Sequence, residues 1–204
     1  MDKKIGLFWL RDDFRFTKNY GLIEATNKHD QVVVFYLYKQ ELYKDQEAQK
    51  WWLYKSLTNF KKKLINLNIT LEIIETNSFK FFFDKLKKNK DFTIYWNKVY
   101  EPDYLKLDEY LFKCFKEKNI NYKRFKGNAL NEIDEIKKSD GSPFKVFTPF
   151  WGTAEKYYTE KVPSKEKTIR KCKQKIDYFK KCIKPEKILP NVDWFKNFEK
   201  VWSL

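Results

Sequence analysis

The sequence predicts an α/β fold in which helices cover both faces of a mostly parallel sheet. Five short runs rich in β-branched and aromatic residues alternate with segments of helical periodicity. The loops between them are short, and parallel neighbouring strands need a crossover of about a dozen residues or more, which the helical segments supply. Right-handed crossovers then place helices on both faces of the sheet.

Each predicted strand is a short apolar run bounded by charged or turn-forming residues. The predicted strands are 5–10, 32–37, 70–74, 92–96 and 121–125. The predicted helices are 21–28, 45–66, 79–88, 102–118 and 153–161, with Ser78 expected as an N-cap and Pro102 as a first-turn residue. The alternation stops after Gly127. We therefore expect an α/β domain over 1–130 and a loop-rich connector over 131–204.

Composition favours a globular protein of a reducing compartment. The 204 residues are 42% hydrophobic, enough for one sizeable core. Three cysteines without CxxC spacing predict neither a disulfide framework nor a zinc site. No run of about 18 apolar residues occurs, so we expect a cytoplasmic protein without a membrane partner. The net charge of +15 admits nucleic acid as a partner, although lysines on ordinary solvated helix faces would give the same charge.

The first predicted strand ends abruptly in charged residues, among them Arg11 and Arg15. The chain has only four arginines, so two at one strand end favour a site there. Ligands of open parallel sheets bind beyond the carboxyl ends of the strands, where the loop 96–104 after strand four would meet this one. Aromatic walls with a few polar groups suit a planar ring system. Alternatively, the arginines pair with Asp12 or Asp13 and only stabilise the rim of the sheet.

The residue inventory excludes several chemistries. Only five glycines occur, and they form neither of the GxGxxG and GxxxxGK[ST] loops that hold phosphates. His29 is the one histidine, which excludes a multi-histidine metal site, and we expect it to lie in a polar surface turn without a role. No serine lies in a GxSxG context. The sequence therefore predicts a binding pocket with no catalytic residue and no metal.

Three segments, in order along the chain, resemble motifs of the DNA photolyase/cryptochrome family. The segment WLRDDFR at 9–15, with Asn19, resembles the family's WFRxDLRxxDN opening. The segment WNKVYEP at 96–102, with Asp108, is similar to its WNxxYEP…D motif, and GSPFKVFTPFW at 141–151 is similar to its GxPYxVFTPFW motif. The tail at 189–198 is similar to the family's interdomain connector.

The resemblance implies the N-terminal antenna domain of a light-driven DNA-repair flavoprotein. Its sheet would be Rossmann-like, doubly wound and five-stranded, in the order 3-2-1-4-5. A helical domain that carries FAD and binds damaged DNA would follow Leu204, in the same polypeptide or as a separate chain. The full-length protein would then be a deoxyribodipyrimidine photolyase, whereas this domain alone is not expected to split pyrimidine dimers.

The resemblance also implies a light-harvesting chromophore within the domain. Folate-binding members carry Asn-Glu where this chain has Asp103-Tyr104, which favours a flavin or deazaflavin over a reduced folate. Deazaflavin-binding members carry an aspartate at the position of Val99 and an arginine at that of Gln49, so an empty crevice is the remaining alternative. The residues expected to bind the chromophore are Trp9, Arg11, Asp13, Tyr38, Lys50, Trp96, Asn97 and Glu101.

The family pattern further implies a contact surface for the helical domain. Its expected residues are Phe147, Phe150, Trp151, Trp194 and Phe198, and we expect the chain to self-associate when they are uncovered.

Two other functions remain open. A cryptochrome-type blue-light photoreceptor shares this N-terminal domain. A stand-alone module that binds a nucleotide or a flavin, or a basic module that binds DNA, would also fit the sheet and the charge.

Overall fold

The computed structural model describes residues 5–86, 92–129, 132, 135–157 and 168–202. Its strands are β1 (Ile5–Leu10), β2 (Val32–Tyr38), β3 (Thr70–Glu75), β4 (Phe92–Asn97) and β5 (Asn121–Phe125). Its helices are α1 (Tyr20–Lys28), α2 (Glu47–Ile65), α3 (Phe79–Asp84), α4 (Pro102–Glu117), α5 (Phe147–Tyr157) and α6 (Trp194–Trp202). Two short 3-10 turns lie at Gln40–Tyr43 and Pro185–Ile188.

The five strands form one parallel sheet in the predicted order, β3-β2-β1-β4-β5. Successive side chains of a strand point to opposite faces, so the central strand β1 supplies two cores. Phe8 and Leu10 enter the core covered by α1 and α2, whereas Leu7 and Trp9 enter the core covered by α3 and α4. Because both faces are covered, all seven residues of β2 are buried, and this explains its uninterrupted apolar sequence.

The helices α1, α2 and α4 begin and end within two residues of the predicted bounds. The helix α3 begins after its predicted N-cap Ser78 but ends at Asp84, short of the predicted residue 88. There the N–H of Leu86 bonds to the carbonyl of Phe83, three residues earlier, at 3.2 Å. This spacing is that of a 3-10 turn rather than of an α-helix. Residues 87–88 lie outside the described residues. None of the helices in the described part of the chain is both long and apolar enough to cross a membrane.

The helix α5 begins at Phe147, six residues before the predicted start at Thr153. The predicted bounds leave Pro149 in the loop-rich connector, outside the helix. In the structure Pro149 lies in the first turn of the helix, where backbone N–H groups have no intrahelical partner to lose. Residues 158–161 of the predicted helix lie outside the described residues.

His29 is buried, which corrects the prediction of a surface residue without a role. Its Nε2 lies 2.8 Å from the hydroxyl of Tyr95, and the two rings meet edge to face at 5.6 Å. The turn after α1 folds closely onto β1: a Cβ on Gly6 would lie 3.0 Å from Cδ2 of His29. The glycine therefore makes the space that lets the polar turn become part of the interior.

The segment 168–188, here called the strap, runs along the β3 edge of the sheet. Ile183 forms an antiparallel bridge to β3. The buried carboxylate of Glu72 accepts the N–H groups of Tyr178 and Phe179 at 2.6 and 2.8 Å. The strap covers backbone groups that an edge strand would otherwise leave unpaired. It leads into α6, whose Glu199 accepts the indole N–H of Trp51 on α2 at 2.7 Å.

Candidate functional site

The carboxyl ends of β1 and β4 lie side by side, with Trp9 in register with Trp96. The loops that follow them border a cavity of about 480 Å³, here called the strand-end crevice. Five of the residues expected at the site line it, namely Trp9, Arg11, Asp13, Asn97 and Glu101. Asp12, Lys98 and Tyr100 lie beside them. The two loops that the sequence predicted to meet therefore do meet.

Arg11 lies at the centre of a buried ionic network. Its Nη2 donates to the carboxylate of Asp108 on α4, and its Cζ lies 3.9 Å from the ring centre of Trp9. Asp108 also accepts the indole N–H of Trp96 at 3.1 Å and Nη1 of Arg124 at 3.1 Å. Burial lowers the pKa of Arg11, and the neighbouring Asp108 counteracts this shift. The network joins β1, β4, β5 and α4, so the Arg11 guanidinium is part of the wall of the crevice.

Asp13 and Asn97 form a second network that fixes the start of α1. The Asp13 carboxylate accepts Nε and Nη2 of Arg15, each at 2.7 Å, and Nδ2 of Asn97 at 3.0 Å. Asn97 also accepts the N–H of Gly21 at 3.0 Å and donates to the N-cap residue Asn19 at 2.8 Å. Arg15 therefore pairs with a neighbouring aspartate, as the alternative interpretation predicted. These polar groups hold the crevice in shape.

The open side of the strand-end crevice is acidic. Desolvation by the surrounding walls raises the pKa of Asp12, and the nearby Glu101 raises it further. The Nζ of Lys98 is bound to Glu132 at 2.7 Å, and the hydroxyl of Tyr100 donates to the same carboxylate at 2.8 Å. Because Arg11 and Lys98 each face a carboxylate already, this crevice does not favour an anionic ligand.

A second cavity, here called the aromatic cleft, has a volume of about 720 Å³ and shares Asp12 with the strand-end crevice. It lies between the exit of β1, the helix α2 and the helix α6. Its aromatic lining consists of Phe14, Tyr36, Tyr43, Trp51, Trp52, Trp194 and Phe198. Gln49, Ser56 and Asp12 are its polar lining residues, and no lysine or arginine occurs among the described ones. This volume and lining suit a planar ring without a phosphate.

The hydroxyls of Tyr36 and Tyr43 meet at the floor of the aromatic cleft, 2.9 Å apart. Burial raises the pKa of Tyr36 well above its ordinary value and also raises that of Tyr43, so both are neutral at physiological pH. One hydroxyl hydrogen is used in the bond between them. The other can be donated to an acceptor atom of a ligand.

Three of the expected site residues line neither cavity. Trp96 is fully buried and donates to Asp108. Tyr38 is buried and stacks on Tyr43 with ring centres 5.5 Å apart. The Nζ of Lys50 is bound to Glu47 at 2.7 Å. Trp96 and Tyr38 therefore contact the walls of the site from behind, whereas Lys50 pairs within the first turn of α2.

The sequence-based reasoning missed most of the aromatic cleft. On α2 the indole of Trp52 is 66% exposed, whereas that of the adjacent Trp51 is buried. The helix α6 was not predicted, although its apolar residues at 194, 195, 198 and 202 follow helical spacing. The tandem Trp51-Trp52 is the signal that could have located the cleft. Two adjacent residues of a helix point in different directions, so the core on one face of α2 cannot account for both indoles.

The aromatic residues expected at a domain contact fall into two groups. Trp194 and Phe198 lie on α6 and contact Trp51, with ring centres 5.9 and 5.4 Å apart. Phe147 and Trp151 stack on α5 at 6.3 Å and are 71% and 40% exposed. Phe150 on α5 is half-buried. The helix α5 therefore presents an uncovered apolar face.

Comparisons with known proteins agree with one another. The family model described as DNA photolyase matches residues 6–167. A deoxyribodipyrimidine photo-lyase of Agrobacterium fabrum is 25% identical over 201 residues, which cover 97% of this chain and 41% of that protein. One from Vibrio cholerae is 25% identical over 151 residues, covering 71% of this chain and 32% of that protein. The chain thus spans well under half the length of these relatives.

Solved structures show the same fold. A class III photolyase from Agrobacterium tumefaciens superposes with a TM-score of 0.80 at 24% identity, over 98% of this chain and 42% of that one. A photolyase from Sulfolobus tokodaii, described with two FAD molecules, superposes with a TM-score of 0.69 at 19% identity, over 90% of this chain and 40% of that one. A cryptochrome from Synechocystis gives 0.68 at 15% identity, over 93% and 41%.

Proposed function

The chain belongs to the DNA photolyase family, and we propose that it forms the light-harvesting N-terminal domain of a deoxyribodipyrimidine photolyase. The family match over residues 6–167 is the observation that carries this proposal. The parallel sheet in the order β3-β2-β1-β4-β5 supports it. Relatives of this chain are more than twice as long. Repair of pyrimidine dimers would therefore require the helical FAD domain and its contact with damaged DNA.

We place a flavin or deazaflavin ring in the aromatic cleft. When bound, such a ring absorbs blue light and transfers the excitation to the repair flavin. The indole of Trp52, which is 66% exposed, offers a face for stacking, and the Tyr36–Tyr43 hydroxyl pair offers a donor for a ring carbonyl. The relative from Sulfolobus tokodaii, described with two FAD molecules, supports a second flavin in the family. No lysine or arginine occurs among the described lining residues of the cleft, which favours the ring over its phosphate as the bound part.

The strand-end crevice would extend this site past Asp12. We assign Arg11, Asp13 and Asn97 the role of holding the two strand ends in place, because their polar groups are bonded to one another or to the framework. Trp9 would supply its wall and Glu101 its acidic rim. Of the remaining expected residues, Tyr38 under Tyr43 and Trp96 under the Arg11 network would act from behind these walls, whereas Lys50 pairs with Glu47 at the start of α2.

The uncovered face of α5 would contact the helical domain. Phe147 and Trp151 are exposed apolar residues stacked on each other, an arrangement typical of an interaction surface. Phe150 lies beside them on the same helix. Trp194 and Phe198 would contribute their exposed edges at the point where α6 leads away from the sheet.

Titration of the purified chain with riboflavin, FMN, a deazaflavin and a reduced folate tests the chromophore assignment. Binding is measured as quenching of ligand fluorescence together with quenching of tryptophan emission. We expect dissociation constants in the micromolar range or below for the flavin-type rings, and weaker binding of the folate. Absence of binding by all four ligands would refute the chromophore role and leave the family membership intact.

A further inference from the structure

The aromatic cleft has walls from two distant parts of the chain. One wall belongs to α2, and the facing wall is formed by Trp194 and Phe198 of α6. Both of the latter side chains stay about 40% exposed, so their apolar contacts with α2 are limited. The cleft is therefore complete only while α6 lies against α2.

The carboxylate of Glu199 joins the two walls. Oε1 of Glu199 accepts the indole N–H of Trp51 at 2.7 Å and Nζ of Lys55 at 2.9 Å. The two donors are one helical turn apart on α2 and therefore share one face of it. Glu199 is itself 27% exposed at the side chain, and both bonds are charge-assisted.

The same bond sets the orientation of Trp51. Its indole is 5% exposed and contacts two aromatic rings of α6, with ring centres 5.9 Å from Trp194 and 5.4 Å from Phe198. Without Glu199, the Trp51 N–H would lose its acceptor inside an otherwise apolar contact, which is costly for a buried donor. The backbone N–H of Asn191, which precedes α6, donates to the carboxylate of Glu47 at 3.1 Å, and this bond does not depend on Glu199.

We infer that Glu199 is a positioning residue of the aromatic cleft, holding α6 against α2 so that a planar aromatic ring can be bound between them. This inference rests on the proposed chromophore site and adds the requirement for the connector helix. Binding and docking are then linked reciprocally: a ring in the cleft stabilises docked α6, and docked α6 strengthens binding of the ring. Binding of the chromophore would then stabilise α6 as far as its last residue, 202, after which we expect the helical domain to follow.

Glu199→Ala, compared with Asn197→Ala on the same helix, tests the inference. Asn197 is exposed, so its replacement is a control for the truncation of a polar side chain on α6. Two quantities are measured: hydrogen exchange of the α6 amides without ligand, and the riboflavin dissociation constant. For Glu199→Ala we expect the hydrogen exchange of the α6 amides to become about tenfold faster and the riboflavin dissociation constant to rise about tenfold. Asn197→Ala should change neither quantity. Glu199→Gln, which keeps an acceptor for Trp51, should lie between them.

The possible failures are distinguishable. If the unaltered chain binds neither riboflavin nor another flavin-type ring, the proposed flavin site in the cleft fails and the inference falls with it, while the family membership stands. If the chain binds riboflavin and Glu199→Ala binds it equally well, the inference alone is overturned. Unchanged exchange of α6 in Glu199→Ala would also overturn it, because the carboxylate would then not hold the helix. Riboflavin that protects α6 in the unaltered chain, and protects it less in the variant, supports the linkage.

Discussion

Arg11 at the exit of β1 and Asp108 on α4 form a buried ion pair between residues 97 positions apart. The Arg11 guanidinium depends on this pair, because its Nε and Nη1 are buried and have no hydrogen-bond partner among the described residues. Asp108 also binds Arg124, so one carboxylate serves two guanidinium groups. The pair locks the central strand to the helix that borders the strand-end crevice.

Asp108→Asn should lower the free energy of unfolding by about 3–5 kcal/mol, because it leaves the buried Arg11 charge uncompensated. Urea denaturation followed by circular dichroism measures the change. Glu109→Gln is the matched control, since Glu109 is the exposed neighbour on the same helix. Its effect should stay within about 0.5 kcal/mol. Equal midpoints for the two variants would contradict the structural importance of the pair.

Local sequence patterns predicted the strands well because the burial of a strand is visible in its own residues. A strand buried on both faces must be apolar along its whole length, and β2 illustrates this directly. Pairing of Arg11 with Asp108 could not be read from spacing, because it is created by the register of β1 with β4 and by the path of α4. The nearby Asp12 and Asp13 were equally plausible partners in sequence. Resemblance to the family marked the same residues without giving their contacts.

The aromatic cleft escaped prediction for a similar reason. Trp51 lies off the buried stripe of α2 formed by Leu53, Leu57, Phe60 and Leu64, and it is buried by α6 from the far end of the chain. Helical spacing alone could not have reported that contact. Most short helices owe their stability to such tertiary packing rather than to propensity, and α6 is only nine residues long.

Gly127→Ala should distort the rim of the strand-end crevice. A Cβ at this position would lie 2.0 Å from the carbonyl oxygen of Lys98, a backbone atom that cannot turn away. We expect a loss of about 1–3 kcal/mol in the free energy of unfolding, the usual cost of overpacking. Gly152→Ala on α5 is the control, because no atom lies within 4 Å of its added Cβ. That control should be neutral or stabilising by up to about 1 kcal/mol. A neutral Gly127→Ala would mean that the loop after β5 is free to move.

Trp52→Ala should weaken riboflavin binding without unfolding the chain. Trp52 is 66% exposed yet lines the aromatic cleft, so its loss removes a stacking face while the core stays intact. Loss of one aromatic contact, worth about 0.5–1.5 kcal/mol, corresponds to a rise of up to about tenfold in the dissociation constant. Phe81→Ala is the control, because Phe81 is 55% exposed on α3 and absent from the cleft. Equal weakening by both variants would indicate a non-specific effect on the fold.

The α5 face should cause concentration-dependent association of the chain. Phe147 is 71% exposed and stacks on Trp151, which leaves a contiguous apolar surface open to a second copy. Phe147→Ser should shift the species observed by light scattering toward the monomer and reduce binding of a hydrophobic dye. Phe81→Ser, which removes an exposed phenylalanine from α3, should change neither quantity. A chain that is monomeric at all concentrations and does not bind the dye would refute the prediction.

Glu72→Gln should loosen the strap over the β3 edge. Both oxygens of the buried carboxylate accept backbone N–H groups, those of Tyr178 and Phe179, whereas a glutamine offers one acceptor oxygen and turns an NH₂ group toward the other. The loss of such a bond to a buried group costs about 1–3 kcal/mol, so exchange of these two amides should accelerate roughly fivefold to a hundredfold. The control is Glu75→Gln on the same strand, which removes only the exposed pair with Lys187, worth about 1 kcal/mol or less. Protection of both amides that survives Glu72→Gln unchanged would show that the strap is held by its apolar contacts, such as the buried Cys172, rather than by the carboxylate.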